Sequence, residues 1–279
     1  MRLVVQSPAI QFQHLVHIHQ ISQSNQGAQF IQIAEHAYYL PHQESASQAV
    51  IDFCAAQNID CAYVPEKQTL NNIKLAVMDM DSTLINIECI DEIADMMNIK
   101  PQVAAITESA MRGELDFSQS LRARVETLTG LPESVIESTY ARITLTEGAK
   151  ELIAAIHARG GKAAAVSGGF NQLLEPLAKR LGLDFWRANQ LEILEHTLTG
   201  EVVGDIIDRP AKASALAEWA GELGLTASAT IAVGDGANDL DMLSVAALGV
   251  AFNAKPKVRA SADVVVDRQD LRELIPLLP

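Results

Sequence analysis

The sequence is poor in cysteine and contains no long apolar run. Its three cysteines, Cys54, Cys61 and Cys89, are too few and too irregularly spaced for a disulfide framework or a zinc site, which favours a reducing compartment. No apolar stretch approaches the roughly 18 to 20 residues that are needed to span a bilayer. The N-terminus also lacks the apolar segment of a secretory signal. These absences predict a soluble, cytoplasmic protein without a membrane partner.

Positive charge is scarce as well. Lys and Arg number 21 against 35 Asp and Glu, so the formal net charge is −14. Nucleic-acid backbones bind positively charged surfaces, and this balance therefore argues against nucleic acid as a partner. With 48% hydrophobic and 20% charged residues, the composition is that of a packed chain and not of a disordered one. We expect a globular protein whose partner is a small molecule.

The amino-acid composition and the hydrophobic pattern of the 279-residue chain change near residue 70. Residues 1–70 are rich in Gln and His, and their short apolar runs predict a small α/β accessory domain. Residues 73–279 alternate apolar strands with helices, which predicts βαβ units and a Rossmann-like parallel sheet core. A stretch at about 88–140 is helical throughout and interrupts this alternation. The chain is therefore expected to be an α/β protein with a helical cap inserted into its core.

Three histidines lie close together in the accessory region. The period-two spacing of His17 and His19 predicts that both lie on one face of a strand, with His14 nearby. No carboxylate or cysteine completes a set of metal ligands around them. A solvated strand face is therefore favoured over a metal site.

Acidic or glycine-rich turns follow three of the predicted strands. These turns are Asp79-Met80-Asp81-Ser82-Thr83-Leu84, Ser167-Gly168-Gly169 and Gly234-Asp235-Gly236-Ala237-Asn238-Asp239. Each turn alone has an ordinary explanation, since turns and helix starts favour Asp, Ser and Gly, and a single residue such as Lys212 is usually a solvated surface charge. Ligands of parallel sheets, however, bind at the carboxyl ends of the strands, where all three turns fall. Clustered carboxylates, a lysine and backbone amides at that edge predict a hard divalent cation and a phosphate.

These motifs resemble the haloacid dehalogenase superfamily of phosphatases and, within it, the phosphoserine phosphatases. The resemblance rests on the segments Asp79 to Glu88, Ser120 to Val125, Val166 to Phe170 and Val233 to Asp239. It covers the chain from Ile73 to Pro279 and does not extend to residues 1–70.

The resemblance implies Mg²⁺-dependent hydrolysis of O-phosphoserine to serine and phosphate through an aspartyl-phosphate intermediate, the last step of serine biosynthesis. Asp79 is the implied nucleophile and Asp81 the implied general acid and base. The implied metal ligands are a carboxylate oxygen of Asp79, the backbone carbonyl of Asp81 and the side chain of Asp235, with Asp239 as either a further ligand or an anchor. The implied substrate-binding residues are Glu88, Arg124, Ser167, Gly168, Lys212 and Asn238. Met111 and Phe117 are candidate walls of the pocket, and ordinary packing within the core of the cap explains them equally well.

Two alternatives stay open at this point. An enzyme with the same core could act on another small phosphate ester or pass the phosphate to an acceptor other than water. Glu88 with Arg124 favours an amino-acid substrate, because an acid and a base together complement a zwitterion. Residues 1–70 could sense an amino acid or serve as a structural or oligomerisation element, and a homodimer is compatible with either role.

Overall fold

The computed structural model of the chain describes residues 1–22, 27–267 and 270–278. Residues 23–26, 268, 269 and 279, which belong to the ranges assigned above, lie outside the described residues. The strands are β1 (Arg2–Gln6), β2 (Ile31–Ala34), β3 (Ala37–Leu40), β4 (Asp60–Val64), β5 (Leu75–Met78), β6 (Lys162–Phe170), β7 (Phe185–Leu194), β8 (Thr197–Val203), β9 (Thr230–Gly234), β10 (Leu248–Phe252) and β11 (Val264–Val266). The helices are α1 (Phe12–Ile21), α2 (Gln48–Ala56), α3 (Cys89–Met96), α4 (Lys100–Met111), α5 (Phe117–Glu126), α6 (Ser134–Arg142), α7 (Ala149–His157), α8 (Asn171–Leu181), α9 (Arg209–Glu222), α10 (Leu240–Val245), α11 (Pro256–Arg259) and α12 (Leu274–Leu277).

The larger sheet has seven strands in the order β11-β10-β9-β5-β6-β7-β8. All neighbouring strands are parallel except β7 and β8, which form an antiparallel hairpin. The central strand β5 is buried along its whole length: Leu75 and Val77 pack on the side that carries Trp219 of α9, and Ala76 and Met78 pack on the opposite side. A parallel sheet that is covered on both faces confirms the predicted α/β fold class.

Strand register brings the three predicted turns to one edge of this sheet. Met78, the last residue of β5, pairs with Ala165 of β6 on one side and with Val233 of β9 on the other. The backbone N–H of Asp79 then donates to the carbonyl of Val233 over 2.9 Å. The turns that follow Met78, Ala165 and Val233 therefore lie next to one another at the same edge of the sheet.

Helices α3 to α6 are inserted between β5 and α7, where the helical stretch is predicted. The predicted stretch at about 88–140 is divided by turns into these four helices. The last of them, α6, extends to Arg142. The hairpin of β7 and β8, which the sequence analysis did not predict, packs against this insertion. Its Leu198 donates a backbone hydrogen bond to the carbonyl of Leu131 and accepts one from Gly130.

The smaller sheet is antiparallel, in the order β2-β3-β1-β4, and carries α1 and α2. The prediction of a strand face at His17 and His19 is wrong, because both residues lie on α1, where Leu15 and Ile18 are buried at helical spacing. The His17 ring lies 4.5 Å from the Phe53 ring, centroid to centroid, and His19 Nε2 lies 2.7 Å from the carbonyl oxygen of Ala28.

The small sheet packs against the large one through a shared core. Val4 and Val64 belong to the same buried cluster as Met78. The buried Arg2 guanidinium donates to the carbonyl oxygens of Glu66, Gln68 and Leu277. In the described parts of the chain, every helix is too short or too polar to cross a bilayer.

Candidate active site

A buried lysine lies between two carboxylates at the strand ends. Lys212 Nζ is 2.8 Å from Asp79 Oδ1 and 2.7 Å from Asp239 Oδ1, and the lysine side chain has no exposed surface. Burial lowers the pKa of Lys212, but the carboxylates of Asp239 and Asp79 outweigh burial and raise it. The pKa of Asp79 is well above its usual range because of burial and the negative charge of Asp239. The lysine is therefore cationic. Its single positive charge cannot neutralise the two carboxylates that it contacts.

Local sequence places these groups. Asp208 caps α9 by accepting a hydrogen bond from the N–H of Ala211 over 3.0 Å, and Pro210 lies in the first turn, so the helix starts just before Lys212. Gly234 lets the loop after β9 fold back so that the Asp239 side chain lies close to the backbone of the strand. A Cβ atom at that position would lie 2.5 Å from the carboxylate of Asp239, so only glycine leaves room for that carboxylate behind the strand.

Three carboxylates converge closely enough to share a metal ion. One oxygen from each of Asp79, Asp235 and Asp239 lies within 4.8 Å of the others. Asp235 Oδ1 also accepts a hydrogen bond from Thr83 Oγ1 over 3.3 Å. Burial, together with the charge of Asp239, raises the pKa of Asp235 to about 6. Lys212 is one cation against three carboxylates, and the cluster offers oxygen ligands, which fits a hard divalent cation.

Asp81 lies beside this cluster and differs from it in environment. Its Oδ1 accepts a hydrogen bond from the N–H of Cys89 over 3.2 Å. Burial, with the negative charge of Glu88, raises the pKa of Asp81 to about 7. The turn that carries Asp81 continues into Ser82, whose backbone is left-handed at φ 56°, and Ser82 Oγ donates to Glu88 over 2.7 Å. A carboxyl group with this pKa can both give and take a proton near neutral pH.

The end of β6 forms a cradle of backbone and hydroxyl groups. Ser167 is fully buried, and its Oγ accepts a hydrogen bond from the N–H of Gly169 over 2.8 Å. Asn189 Nδ2 donates to the carbonyl of Gly168 over 2.8 Å and so fixes the loop from behind. A Cβ atom at position 169 would lie 2.6 Å from Asp81 Oδ2. Glycine is therefore required for the cradle to approach the carboxylates.

A cavity of about 710 Å³ connects the strand ends to the inserted helices. From the helices, Glu88 and Arg124 line it, with Met111 and Phe117 as apolar walls. Arg124 Nε donates to the carbonyl of Ser120 over 3.3 Å. Burial lowers the pKa of Arg124, and the charges of Asp91 and Glu88 offset this effect only in part. A guanidinium and a carboxylate thus face the same space as the catalytic-type carboxylates of the core.

Comparison with known proteins identifies the family. The haloacid dehalogenase-like hydrolases match residues 76–244, more than half of the chain. The chain belongs to this family. The matched segment contains the strands and inserted helices that surround the cavity.

Individual haloacid dehalogenase-like hydrolases are also similar to this chain. A phosphoserine phosphatase of Streptococcus thermophilus is 50% identical over 204 residues, which cover 73% of this chain and 95% of the relative. The unliganded crystal structure of a probable phosphoserine phosphatase from Vibrio cholerae has a TM-score of 0.86 at 35% identity and covers 99% of this chain and 86% of that one. A substrate-bound phosphoserine phosphatase complex has a TM-score of 0.70 at 42% identity over 74% of this chain and 99% of that one.

The predicted site residues of this haloacid dehalogenase-like hydrolase come together in one place. The residues that line the cavity are Asp79, Asp81, Glu88, Arg124, Ser167, Gly168, Asp235 and Asn238. Lys212 lies directly beneath, bound to Asp79. Asp239 is wholly buried, with Oδ1 on Lys212 and Oδ2 accepting from the N–H of Gly236 over 2.9 Å, which favours the anchoring role that was left open for it.

Sequence reasoning missed several cavity residues of the hydrolase. Asp91 on α3 and the pair Lys255 and Lys257 after β10 also line the cavity. Asp91 carries no motif signal, since it lies inside an amphipathic helix. The two lysines come shortly after the carboxyl end of β10, which is the position where ligands of parallel sheets bind, but they belong to no motif.

Proposed function

We propose that this chain hydrolyses O-phosphoserine to serine and inorganic phosphate through an aspartyl-phosphate on Asp79, as in the last step of serine biosynthesis. The observation that carries the proposal is that Arg124 and Glu88 line the same cavity as Asp79 and Asp81. A guanidinium binds a carboxylate and a carboxylate binds an ammonium group, so the pair selects the two ends of an amino acid. The similarity to phosphoserine phosphatases supports the same substrate.

Asp79 is the nucleophile of the first step. Its Oδ1 lies 2.8 Å from Lys212 Nζ and accepts a hydrogen bond from the N–H of Met80 over 2.7 Å. We therefore expect the other oxygen, Oδ2, to attack the phosphorus atom. Asp81 gives its proton to the serine oxygen as the phosphorus–oxygen ester bond breaks. Ser167 Oγ, the Gly168 amide and Lys212 bind the phosphoryl oxygens, whose charge grows in the transition state, and Asn238 orients the phosphorylated group.

Asp81 also serves the second step. It is now a carboxylate and accepts a proton from the water that attacks the aspartyl-phosphate, so that phosphate leaves and Asp79 is regenerated. One group can perform both tasks because burial and Glu88 hold the pKa of Asp81 near 7. Asp81 loses its proton in the first step and regains one in the second, so the same side chain serves both steps.

Mg²⁺ is the cofactor that we propose for the acidic cluster. A carboxylate oxygen of Asp79, the backbone carbonyl of Asp81 and the side chain of Asp235 would hold it, with Asp239 behind them on Lys212. When bound, the ion neutralises phosphate charge and so lets a carboxylate approach the phosphorus atom. The raised pKa values of Asp79 and Asp235 support this assignment, because burial and the charge of Asp239 raise them more than the single cation Lys212 lowers them.

We propose further that residues 1–70 are an accessory domain and residues 73–279 the catalytic domain, with its helical cap at about 88–140. All described residues that line the catalytic cavity lie between 79 and 257, which supports this division. The proposed small-molecule chemistry is compatible with a cytoplasmic location and with a homodimer.

The direct test measures phosphate release from O-phosphoserine by the purified full chain. We expect turnover with Mg²⁺, its loss when a chelator is added, and recovery when excess Mg²⁺ is restored. Activity that persists in the chelator would contradict the metal assignment. Turnover of other small phosphate esters, but not of O-phosphoserine, would favour the alternative substrate.

Arg124→Ala tests amino-acid recognition. We expect KM for O-phosphoserine to rise by about 10- to 100-fold, because a charge-assisted hydrogen bond contributes about 1.5–3 kcal/mol. A phosphate ester without amino-acid groups should lose little. Arg122→Ala is the matched control, since this exposed arginine lies on the same helix and does not line the cavity. Equal losses on both substrates would refute the role of Arg124.

A further inference from the structure

Two lysines stand at the mouth of the catalytic cavity, outside every motif that the sequence analysis identified. Lys255 and Lys257 belong to the segment that follows β10, and both line the cavity. The backbone N–H of Lys255 donates to the carbonyl of Asp235 over 3.1 Å. This segment is therefore tied to the loop that carries a proposed metal ligand, and the lysines have a defined position relative to the reacting groups.

Both ammonium groups are available to an anion from solvent. Lys255 and Lys257 are exposed, and within the described ranges neither forms an ion pair with a carboxylate. Other exposed lysines of this chain do have such partners: Lys100 lies 3.2 Å from Asp95, and Lys179 lies 2.7 Å from Glu175. Lys67, Lys74 and Lys150 also lack a carboxylate partner within the described residues, so what distinguishes Lys255 and Lys257 is that they are exposed, lie two positions apart and line the cavity.

The charge around the cavity explains why such a pair is needed. The carboxylates that line it are those of Asp79, Asp81, Glu88, Asp91 and Asp235, and the chain as a whole has a net charge of −14. A phosphate monoester is a dianion near neutral pH, so this field opposes its approach. Lys212 cannot attract it from solvent, because its side chain is fully buried and is neutralised by two carboxylates. Arg124 and the proposed Mg²⁺ act inside the cavity, so the exposed positive charge that an approaching dianion meets first is that of Lys255 and Lys257.

We propose that Lys255 and Lys257 form a docking site for the phosphate dianion at the cavity mouth, where the phosphate monoester binds on entry and inorganic phosphate binds on its way out. This inference rests on the proposed phosphatase function and adds two substrate-positioning residues to it. Lysine suits the task, because its charge sits on a flexible stem and can follow an anion without the fixed geometry of a guanidinium. The dianion then passes inward to Ser167 and the Gly168 amide.

The test compares Lys255→Gln, Lys257→Gln and the double variant with Lys150→Gln. Lys150 is exposed on α7 and does not line the cavity, so it controls for the loss of one surface charge. We expect each single variant to lower kcat/KM by about threefold to tenfold at low ionic strength, and the double variant by about 10- to 50-fold, mainly through KM. The Lys150 variant should match the parent chain, and Lys→Arg at both rim positions should restore most of the loss.

Ionic strength separates docking from a structural role. Added salt screens both the attraction by the two rim lysines and the repulsion by the acidic cavity. Removal of the lysines leaves only the repulsion, so kcat/KM of the double variant should rise more, or fall less, with added salt than kcat/KM of the parent chain. Inhibition by inorganic phosphate should weaken in the same proportion as substrate binding. A double variant with the parent's kcat/KM, salt dependence and phosphate inhibition would overturn the proposal.

Two further readouts keep the inference distinct from the function on which it rests. The rim variants should affect O-phosphoserine and a phosphate ester without amino-acid groups equally, whereas Arg124→Ala should affect only the first. Binding of inorganic phosphate, measured by calorimetry on the Mg²⁺-loaded chain, should weaken in the double variant. If the parent chain releases no phosphate from any ester, the proposed function fails, and unchanged phosphate binding in the double variant then refutes the docking site independently.

Discussion

Asp79→Asn should reduce phosphate release from O-phosphoserine by at least about 10⁴-fold, because the amide cannot attack phosphorus. The substitution preserves the size of the side chain, so the loss reports chemistry and not packing. Rapid acid quenching during turnover should yield a phosphorylated chain for the parent and none for the variant. The parent adduct should react with hydroxylamine, as an acyl phosphate does.

Stability provides the internal control for this variant. Asp79 is one of three clustered carboxylates with Lys212 as their buried cation, so its neutralisation removes repulsion from Asp239 while the pair of Lys212 and Asp239 survives. We therefore expect an unchanged or slightly raised Tm. Asp205→Asn, at an exposed position outside the cavity, should leave both activity and Tm unchanged. Substantial turnover by Asp79→Asn would exclude Asp79 as the nucleophile.

The parallel core could be predicted from sequence because each buried strand is a short apolar run that ends in a recognisable turn. The apolar run Leu75-Ala76-Val77-Met78, which stands directly before the acidic turn at Asp79, is β5 in the structure. The rule that ligands bind at the carboxyl ends of parallel strands then brought together Asp79, Ser167 and Asp235, which line one cavity in the structure. These are local signals, and a single sequence contains them in full.

The hairpin of β7 and β8 was missed for an identifiable reason. Its turn is formed by Glu195 and His196, with φ of 47° and 60°. Two-residue hairpin turns with positive φ usually contain Asn and Gly, so the sequence offered no turn signal between the strands. Helix α1 was missed similarly, because Gln11 precedes it in place of Ser, Thr or Asp and three histidines dilute its apolar face.

The residues contributed by the inserted helices could not be derived from spacing. Glu88 and Arg124 are common surface types, and nothing in their own segments shows which face of a helix meets the cavity. Their assignment came from the family resemblance, and the structure places both on the cavity wall. Lys255 and Lys257 belong to no motif, so only the tertiary packing of β10 against β9 reveals that they share a rim with Asp235.

Asp81→Asn should lower kcat for O-phosphoserine by about 10²- to 10⁴-fold, because the serine oxygen then leaves without a proton. The substitution should also change the pH profile. In the parent chain, the acid form of Asp81 is lost as pH rises through its pKa of about 7, so kcat/KM should fall above that pH. The variant has no such group, and its residual activity should be flat across the same range.

The leaving group decides whether Asp81 has the role proposed for it. A nitrophenyl phosphate releases a stable phenolate and needs no proton, so Asp81→Asn should still be phosphorylated by it on Asp79. Hydrolysis of the aspartyl-phosphate does need a base, and the variant should therefore release one equivalent of nitrophenol in a burst and then stall. Asp205→Asn, at an exposed position outside the cavity, should behave as the parent chain. If Asp81→Asn loses both esters equally and shows no burst, Asp81 positions other groups and is not the acid and base of the reaction.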